Sequence, residues 1–147
     1  MTTYFRSLLM MAFCFLAIGS NAQQHKKTTA KKPAAGLNAS IAAGQKVYMQ
    51  YCVSCHQVDG GGVQHMNPPL IKTTYVLGDK SRIIKIVLHG FSEDVDINGD
   101  SYSNTMPSFD MLKDQEIADV LTYVRNSFTN KASAVKVSEV TALRGKK

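Results

Sequence analysis

The pentapeptide Cys-Val-Ser-Cys-His at residues 52–56 constrains the fold of this 147-residue chain more than any other feature. It contains two of the three cysteines, and only two residues separate them. Four kinds of site are compatible with such a motif: a zinc knuckle, a redox-active dithiol, a disulfide, or a covalent anchor for a prosthetic group. The elements around the motif and the other available ligands distinguish among these sites.

Residues 1–22 are expected to form a secretory signal peptide. Arg6 supplies a positive start, residues 7–18 are almost entirely apolar, and residues 20–22 are the small-residue sequence Ser-Asn-Ala. The apolar run is short for a bilayer span of about 20 residues, although an uncleaved membrane anchor is the alternative. Cleavage would remove Cys14 and leave the two motif cysteines as the only thiols, in an oxidising compartment.

The formal net charge of +6 is concentrated in two end segments. Residues 23–39 carry four Lys and no acid, whereas residues 131–147 carry five Lys or Arg and one Glu. Residues 40–130 carry seven basic and ten acidic residues, a net charge of −3. Because low-complexity segments of this kind are typically solvated and disordered, we expect a basic linker, a central domain and a basic C-terminal tail. The central domain lacks the basic, aromatic-rich face of a nucleic-acid binder. Membrane contact is expected only through the basic tails or an uncleaved leader.

Hydrophobic periodicity predicts three helices and one hairpin in the central domain. The first helix spans residues 41–51, with Ser40 as its N-cap, and leads into the cysteine motif. The second lies between Asp79 as N-cap and Gly90 as the C-terminal glycine, and the third spans about residues 114–128. Asn-Gly at residues 98–99 predicts a type I′ turn between two short strands. The apolar positions at helical spacing are Ile41, Gly44, Val47, Tyr48 and Tyr51; Ile83, Ile84, Val87 and Leu88; and Ile117, Val120, Leu121, Val124 and Phe128.

The surroundings of the motif favour a covalent haem. A structural zinc site takes four protein ligands, and His65 and His89 lie at spacings that match no common zinc pattern. A thioredoxin-like dithiol follows a strand, whereas this motif follows a helix, and a disulfide does not explain the adjacent histidine. Haem explains all three residues, because Cys52 and Cys55 can add to its two vinyl groups while His56 binds the iron.

A second possible metal site is the sequence DVDINGDSYSNT, residues 94–105, whose oxygen ligands partly match an EF-hand loop. Its twelfth position is Thr105, where calcium coordination needs a bidentate Glu. No helix-loop-helix pattern surrounds it, so a solvated hairpin is expected.

Met106 is the candidate for the other face of the iron. A thioether suits an electron-transfer iron, and Pro107 restricts the backbone of the residue before it. Met49 lies one turn before the motif on the histidine side, and Met66 lies in a Gly/Pro-rich loop. A packed loop methionine without a ligand role is the alternative for Met106.

Residues 40–129 resemble the mono-haem class I c-type cytochromes of bacteria. The matching motifs, in family order, are CVSCH, Pro-Pro-Leu, IVLHG, INGDSYSNTMPSF and EIADVLTYVRNSF. The resemblance implies a mostly α, small class I cytochrome c fold, with three to four helices around one haem and a short β-hairpin before the Met ligand. The haem c would be covalently bound through Cys52 and Cys55.

The resemblance also implies roles for residues around the haem. Pro68 would accept a hydrogen bond from the Nδ1–H of His56, and Leu70 would pack on the ring. Gly44 and Tyr48 would lie at the crossing of the first and last helices, against Tyr123.

Two features depart from the family pattern. One is the pair of basic end segments. The other is Lys113, which replaces the usual Ser or Thr N-cap of the last helix, so that Asp114 or Asp110 would have to cap it.

The function implied is that of an exported, periplasmic single-electron carrier and not an enzyme. Its partners would be redox proteins, with a dehydrogenase as donor and an oxidase or reductase as acceptor. One alternative is a resident electron-entry module of a periplasmic dehydrogenase or terminal oxidase/reductase complex. Another is a haem enzyme such as a peroxidase, which would need an open coordination position in place of Met106.

Overall fold

Helix α1 begins earlier than the sequence predicts. The computed structural model describes residues 34–146, and in it α1 spans Ala34–Tyr51. Ser40 therefore lies inside the helix, so its predicted N-cap role is wrong, and its hydroxyl donates to Asp119 instead. Alanine and leucine favour helix, which explains why α1 extends into the expected linker. The signal peptide expected at residues 1–22 lies outside the described residues.

Within residues 34–146, five more helices and one hairpin follow α1. They are α2 Val53–His56, α3 Thr74–Leu77, α4 Lys80–His89, β1 Val95–Ile97, β2 Asp100–Tyr102, α5 Asp114–Asn126 and α6 Val137–Arg144. The three predicted helices are present as α1, α4 and α5, and the mostly α fold is confirmed. None of the helices in this part of the chain has the length and apolar character needed to cross a membrane.

Capping explains where two of the long helices start. Asp79 caps α4 as predicted, because its carboxylate accepts a hydrogen bond from the N–H of the second helical residue at 2.9 Å. The predicted cap of α5 by Asp114 or Asp110 is wrong. Instead, the Glu116 carboxylate accepts a hydrogen bond from the Lys113 N–H at 2.8 Å, which is one half of a capping box.

The crossing of α1 and α5 forms the centre of the core. At Gly44 a Cβ atom would overlap the main-chain carbonyl of Asp119, so only glycine allows the two helices to approach this closely. One turn later, the fully buried ring of Tyr48 packs against Tyr123 and Phe128, with both ring centroids 5.3 Å away. The predicted contact of Gly44 and Tyr48 with Tyr123 is therefore confirmed.

The predicted hairpin is also present. Strands β1 and β2 pair in antiparallel register around Asn98 and Gly99, whose φ angles of 55° and 92° are those of a type I′ turn. Ile97 and Tyr102 are buried on one side of the hairpin. In residues 34–146 no group of three or more His, Cys, Asp or Glu side chains could hold a metal ion, which argues against the calcium loop.

The C-terminal segment, residues 130–146, is folded. The expectation that residues 131–147 form a solvated tail is therefore wrong for residues 131–146. Helix α6 packs against α4 and α5 and buries Val140, and the chain leading into it buries Val135. The basic residues of this segment lie at the surface or bind to the domain, as Arg144 does through Asp114.

Two side chains attach the C-terminal segment to the rest of the domain. Asn130 is 3% exposed, and its side chain accepts a hydrogen bond from Lys72 N–H and donates to the carbonyls of Leu70 and Val124. Arg125, also 3% exposed, donates to carbonyls of the α3 region and of Ser133. A low-complexity sequence is thus ordered here by buried valines and by satisfied polar groups.

Candidate functional site

A cavity of about 410 Å³ lies between α4, α5, the hairpin and the loops before and after them. Its walls are mostly apolar, with contributions from Val76, Ile83, Val87, Val120, Leu121 and Val124 among others. The residues predicted from the sequence to form the site all line this cavity: Cys52, Cys55, His56, Pro68, Leu70 and Met106. Side chains from separate parts of the sequence are therefore brought to one place.

The two cysteines lie three residues apart at the junction of α1 and α2. Cys52 N–H donates to the carbonyl of Tyr48 at 2.9 Å, and His56 N–H donates to the carbonyl of Cys52 at 3.0 Å. Residues i and i+3 on a helix lie on the same side, which brings both sulfurs to the cavity. Neither cysteine forms a disulfide.

The chemistry of Cys52 disfavours a redox-active dithiol. Burial raises the pKa of the Cys52 thiol to about 11, and the neighbouring charge of Cys55 adds to the shift. Reactive thiols in disulfide oxidoreductases have depressed pKa values instead. At neutral pH, Cys52 is therefore a protonated thiol at the edge of an apolar cavity.

His56 is held in one orientation. Its Nδ1 lies 3.0 Å from the carbonyl oxygen of Pro68, which can only accept a hydrogen bond, so Nδ1 carries the proton. Burial lowers the pKa of His56 below its ordinary value, while the hydrogen bond to Pro68 opposes that shift. The ring is therefore neutral at pH 7, and its Nε2 has the free lone pair that a metal requires. The expected contact between Pro68 and His56 is present.

Met106 approaches the cavity from a different loop. Its backbone forms an isolated antiparallel bridge with Phe91, just after α4. Of the methionines in residues 34–146, only Met106 lines the cavity, whereas Met49, Met66 and Met111 are largely exposed.

His56 is likewise the only cavity-lining histidine in the described part of the chain. His65 is exposed, and His89 Nε2 lies 3.1 Å from the carbonyl of Lys146. This arrangement provides no second pair of ligands for a zinc knuckle.

Several cavity residues were not predicted from the sequence. Tyr75 and Phe91 pack edge to face with their centroids 6.4 Å apart, and the Arg82 guanidinium lies 3.5 Å over the Tyr75 ring. The hairpin residues Ile97 and Tyr102 close another side. The sequence signal available for Ile97 and Tyr102 was the alternation of apolar and polar residues around Asn98-Gly99. Tyr75 lies in the single-turn helix α3, which is too short for periodicity to reveal.

The donor set has a recognisable chemistry. An imidazole nitrogen and a thioether sulfur are ligands for a borderline or soft transition metal, and two adjacent thiols offer covalent attachment. The apolar walls suit a large hydrophobic group. Residues at this cavity therefore fit a haem attached through two thioether bonds.

Comparison with known proteins gives a consistent result. The cytochrome c family model matches residues 41–128. Cytochrome c-552 of Thermus thermophilus is 34% identical over 122 residues, covering 76% of this chain and 81% of that protein.

Cytochrome subunits of dehydrogenases are also similar. The cytochrome c subunit of alcohol dehydrogenase (quinone) from Gluconacetobacter polyoxogenes is 35% identical over 120 residues, or 80% of this chain and 25% of that subunit. The gluconate 2-dehydrogenase cytochrome c subunit of Pantoea cypripedii is 34% identical over 105 residues, or 69% of this chain and 24% of that subunit. The chain thus spans about a quarter of these subunits. The family match over residues 41–128, the fold and the relatives agree with one another. The chain therefore belongs to the cytochrome c family, whose members carry haem c and transfer electrons.

Proposed function

We propose that this chain is an exported single-electron carrier, with one haem c bound through Cys52 and Cys55 and ligated by His56 and Met106. The observation that carries the proposal is that all four of these residues line one and the same apolar cavity. Cys52, Cys55 and His56 are neighbours in the sequence, but Met106 is not. Its presence at the same cavity is the result of folding.

Pro68, Leu70 and Met106 would each contribute to holding the haem in a different way. Pro68 accepts a hydrogen bond from the Nδ1–H of His56, which fixes the ring and raises the basicity of the coordinating nitrogen. Leu70 contributes an apolar contact on the cavity wall. Met106 would supply the second protein ligand from the same cavity, and a thioether ligand favours the reduced metal and raises the reduction potential.

Electron transfer needs little rearrangement in such a site. Haem supplies an iron that alternates between the ferric and ferrous states. Because His56 and Met106 would both hold the iron throughout the cycle, neither side chain would have to leave. The apolar walls exclude water from the site, and Cys55, which is exposed, lies where the cavity meets the surface. A partner can therefore exchange electrons at that edge without entering the cavity, and the chain itself needs no substrate.

Export is supported by the sequence of residues 1–22, which have the charged start, apolar run and small-residue end of a signal peptide. Covalent haem is compatible with an oxidising compartment, because cysteines converted into thioethers can no longer form a disulfide. The proposed location is the periplasm, with the domain either free or membrane-associated through an uncleaved leader.

The proposed partners are a dehydrogenase as electron donor and an oxidase or reductase as acceptor. A second candidate function is that of a resident module within one dehydrogenase complex. It is favoured by the similarity to cytochrome c subunits of dehydrogenases. Purification of the native protein distinguishes the two, because a resident module remains bound to its enzyme through size-exclusion chromatography whereas a free carrier elutes alone.

The first experiment tests covalent attachment. The full chain is expressed with a cytochrome c maturation system, and the haem is then extracted with acidic acetone. We expect haem to stay with the polypeptide in the wild type and to be lost in the double variant C52A/C55A. Haem that is extracted from the wild type would refute attachment and return the cysteines to the disulfide or zinc hypotheses.

The second experiment tests the ligand set. The ferric wild type should show the weak far-red charge-transfer band of a Met–iron bond. Met106→Ala should abolish the band, while Met66→Ala and Met111→Ala, at exposed methionines away from the cavity, should keep it. Covalent haem without this band in the wild type would contradict Met106 ligation and support a haem enzyme such as a peroxidase.

A further inference from the structure

The loop that carries Met106 is held against the end of α4 by paired hydrogen bonds. Met106 N–H donates to the carbonyl of Phe91 at 2.8 Å, and Phe91 N–H donates to the carbonyl of Met106 at 2.9 Å. Two residues later, the Ser108 hydroxyl donates to the carbonyl of Leu88 at 2.7 Å. The N–H of Phe109 then donates to the carbonyl of Val87, in α4, at 2.9 Å. The backbone on both sides of Pro107 is therefore attached to one end of one helix.

Gly90 makes this close approach possible. Its φ angle is +78°, a conformation that residues with a Cβ atom rarely adopt. A Cβ atom at this position would lie 2.7 Å from the carbonyl oxygen of Met106 and 3.0 Å from the backbone nitrogen of Ser108. Both of these are backbone atoms, so neither can rotate away. A side chain at residue 90 would therefore push the Met106 loop away from α4.

The start of the same loop is attached to the opposite side of the cavity. Asn104 N–H donates to the carbonyl of Met66 at 3.2 Å, and its side-chain amide donates to that of Asn67 at 3.1 Å. Asn67 precedes Pro68, the residue that holds His56. The loop is thus fixed at both ends, but only the contacts with α4 include Met106 itself.

We infer that Gly90 and Ser108 are positioning residues that keep Met106 at its place over the cavity and so exclude external ligands from the iron. This inference rests on the proposed His56/Met106 ligation. An external ligand can bind only when Met106 has moved away, so its apparent affinity is proportional to the fraction of molecules with Met106 displaced. Loosening the loop at Gly90 or Ser108 raises that fraction, although neither residue lines the principal cavity.

The test is a titration of the ferric holoprotein with imidazole, followed by loss of the far-red band. Gly90→Ala is compared with Gly99→Ala. Both glycines have a positive φ angle, but a Cβ atom at Gly99 meets nothing within 4 Å. Gly99→Ala therefore measures backbone strain alone. We expect Gly90→Ala to bind imidazole at least about tenfold more tightly than the wild type, in the lower part of the range expected for overpacking, and Gly99→Ala to bind it as the wild type does.

A milder pair of variants provides the same test in case the Gly90→Ala protein does not fold. Ser108→Ala removes a hydroxyl that donates to Leu88 and also accepts from the N–H of Asp110 at 3.2 Å. Only the bond to Leu88 fastens the loop to α4, and we expect imidazole affinity to rise about fivefold, as the net contribution of that bond predicts. Ser103→Ala, at an exposed position in the same region, is the matched control and should leave the affinity unchanged.

The outcomes separate this inference from the proposed function. A wild-type protein without the far-red band would overturn Met106 ligation and the inference with it. A wild-type protein with the band, combined with Gly90→Ala and Ser108→Ala variants that bind imidazole no more tightly than their controls, would overturn the inference alone.

Discussion

Asn130→Ala is expected to destabilise the domain more than any ordinary polar substitution. The Asn130 side chain accepts a hydrogen bond from Lys72 N–H at 2.8 Å and donates to the carbonyls of Leu70 at 2.9 Å and Val124 at 2.8 Å. Alanine cannot replace any of these bonds. The C-terminal segment would then lose its attachment to the loop that brings Leu70 to the cavity.

The magnitude follows from the number and burial of the bonds. The bond to Val124 is fully buried, whereas the other two are partly buried and can regain water. With a net contribution of about 1 kcal/mol for each bond, and more for a buried carbonyl left without a partner, the loss is about 3 kcal/mol. For a domain of this size, that loss lowers the midpoint of thermal unfolding by roughly 10 °C.

The assay is urea denaturation of the holoprotein followed by far-ultraviolet circular dichroism, with Asn126→Ala as the matched control. Asn126 is half-buried, and its side chain donates a single hydrogen bond, to the carbonyl of Thr122 at 2.9 Å. We expect Asn126→Ala to lower the free energy of unfolding by about 1 kcal/mol. If Asn130→Ala lowers the free energy of unfolding no more than this control does, the three bonds of Asn130 do not stabilise the C-terminal segment.

Three further substitutions test other contacts. Tyr48→Phe keeps the ring at the helix crossing but removes a hydroxyl that donates to the carbonyl of Gln57 at 2.6 Å. The free energy of unfolding should therefore fall by about 1 kcal/mol. An unchanged value would show that this bond is not stabilising. Gly44→Val places side-chain atoms where α5 already lies, and we expect loss of the holoprotein on expression; normal yield and normal stability would contradict the close helix contact. Hydrogen bonds from Thr141 and Arg144 hold the pKa of Asp114 below its ordinary value of 3.8, so Asp114 stabilises the fold above that pH and the stabilisation is lost as the pH falls through the lower, folded-state pKa. Asp114→Asn should therefore weaken the dependence of unfolding on pH below about pH 4, and identical acid titrations of the two proteins would exclude this role.

The two motif cysteines, His56 and Met106 were predictable as candidates for the cavity because each has local chemistry, whereas Pro68 and Leu70 came from the family resemblance. The CVSCH motif needs only five residues to identify it, and Met106 is recognisable from the proline that follows. The helix α4 and the hairpin were predictable for a similar reason, since Asp79 and Asn98-Gly99 mark their ends. The fold around the site is confirmed, and the roles of the individual site residues stay predictions.

The C-terminal segment was not predicted because its composition concealed its pattern. Its lysines and small residues resemble a disordered tail, yet Val137, Val140 and Leu143 recur at a spacing of three. These residues pack against the core in helix α6. A short helix with so few apolar residues is stable only when they pack against a preformed surface. Tertiary structure provides that surface, and local helix propensity does not.

The start of α1 and the two short helices were missed for another reason. No Ser, Thr, Asp or Asn stands directly before Ala34 in the sequence to mark a helix start, and α2 and α3 each have only four residues. A hydrophobic period requires at least two turns to be visible. These elements depend on the loops and side chains around them.

The distant hydrogen bonds of Asn130 and Arg125 also fix an order of assembly. A chain is synthesised from its N-terminus, so Leu70 and Val76 emerge 60 and 49 residues before the side chains that bind their carbonyls. Contacts between residues far apart in sequence form after local ones, whereas the cysteine motif is complete within its own helical turns. The thiols are therefore accessible to a haem-attaching enzyme before Asn130 and Arg125 fix the C-terminal segment to the loop at Leu70 and to the α3 region. Chains that end before residue 130 should accordingly react faster with thiol reagents than a haem-free chain that includes residues 130–146.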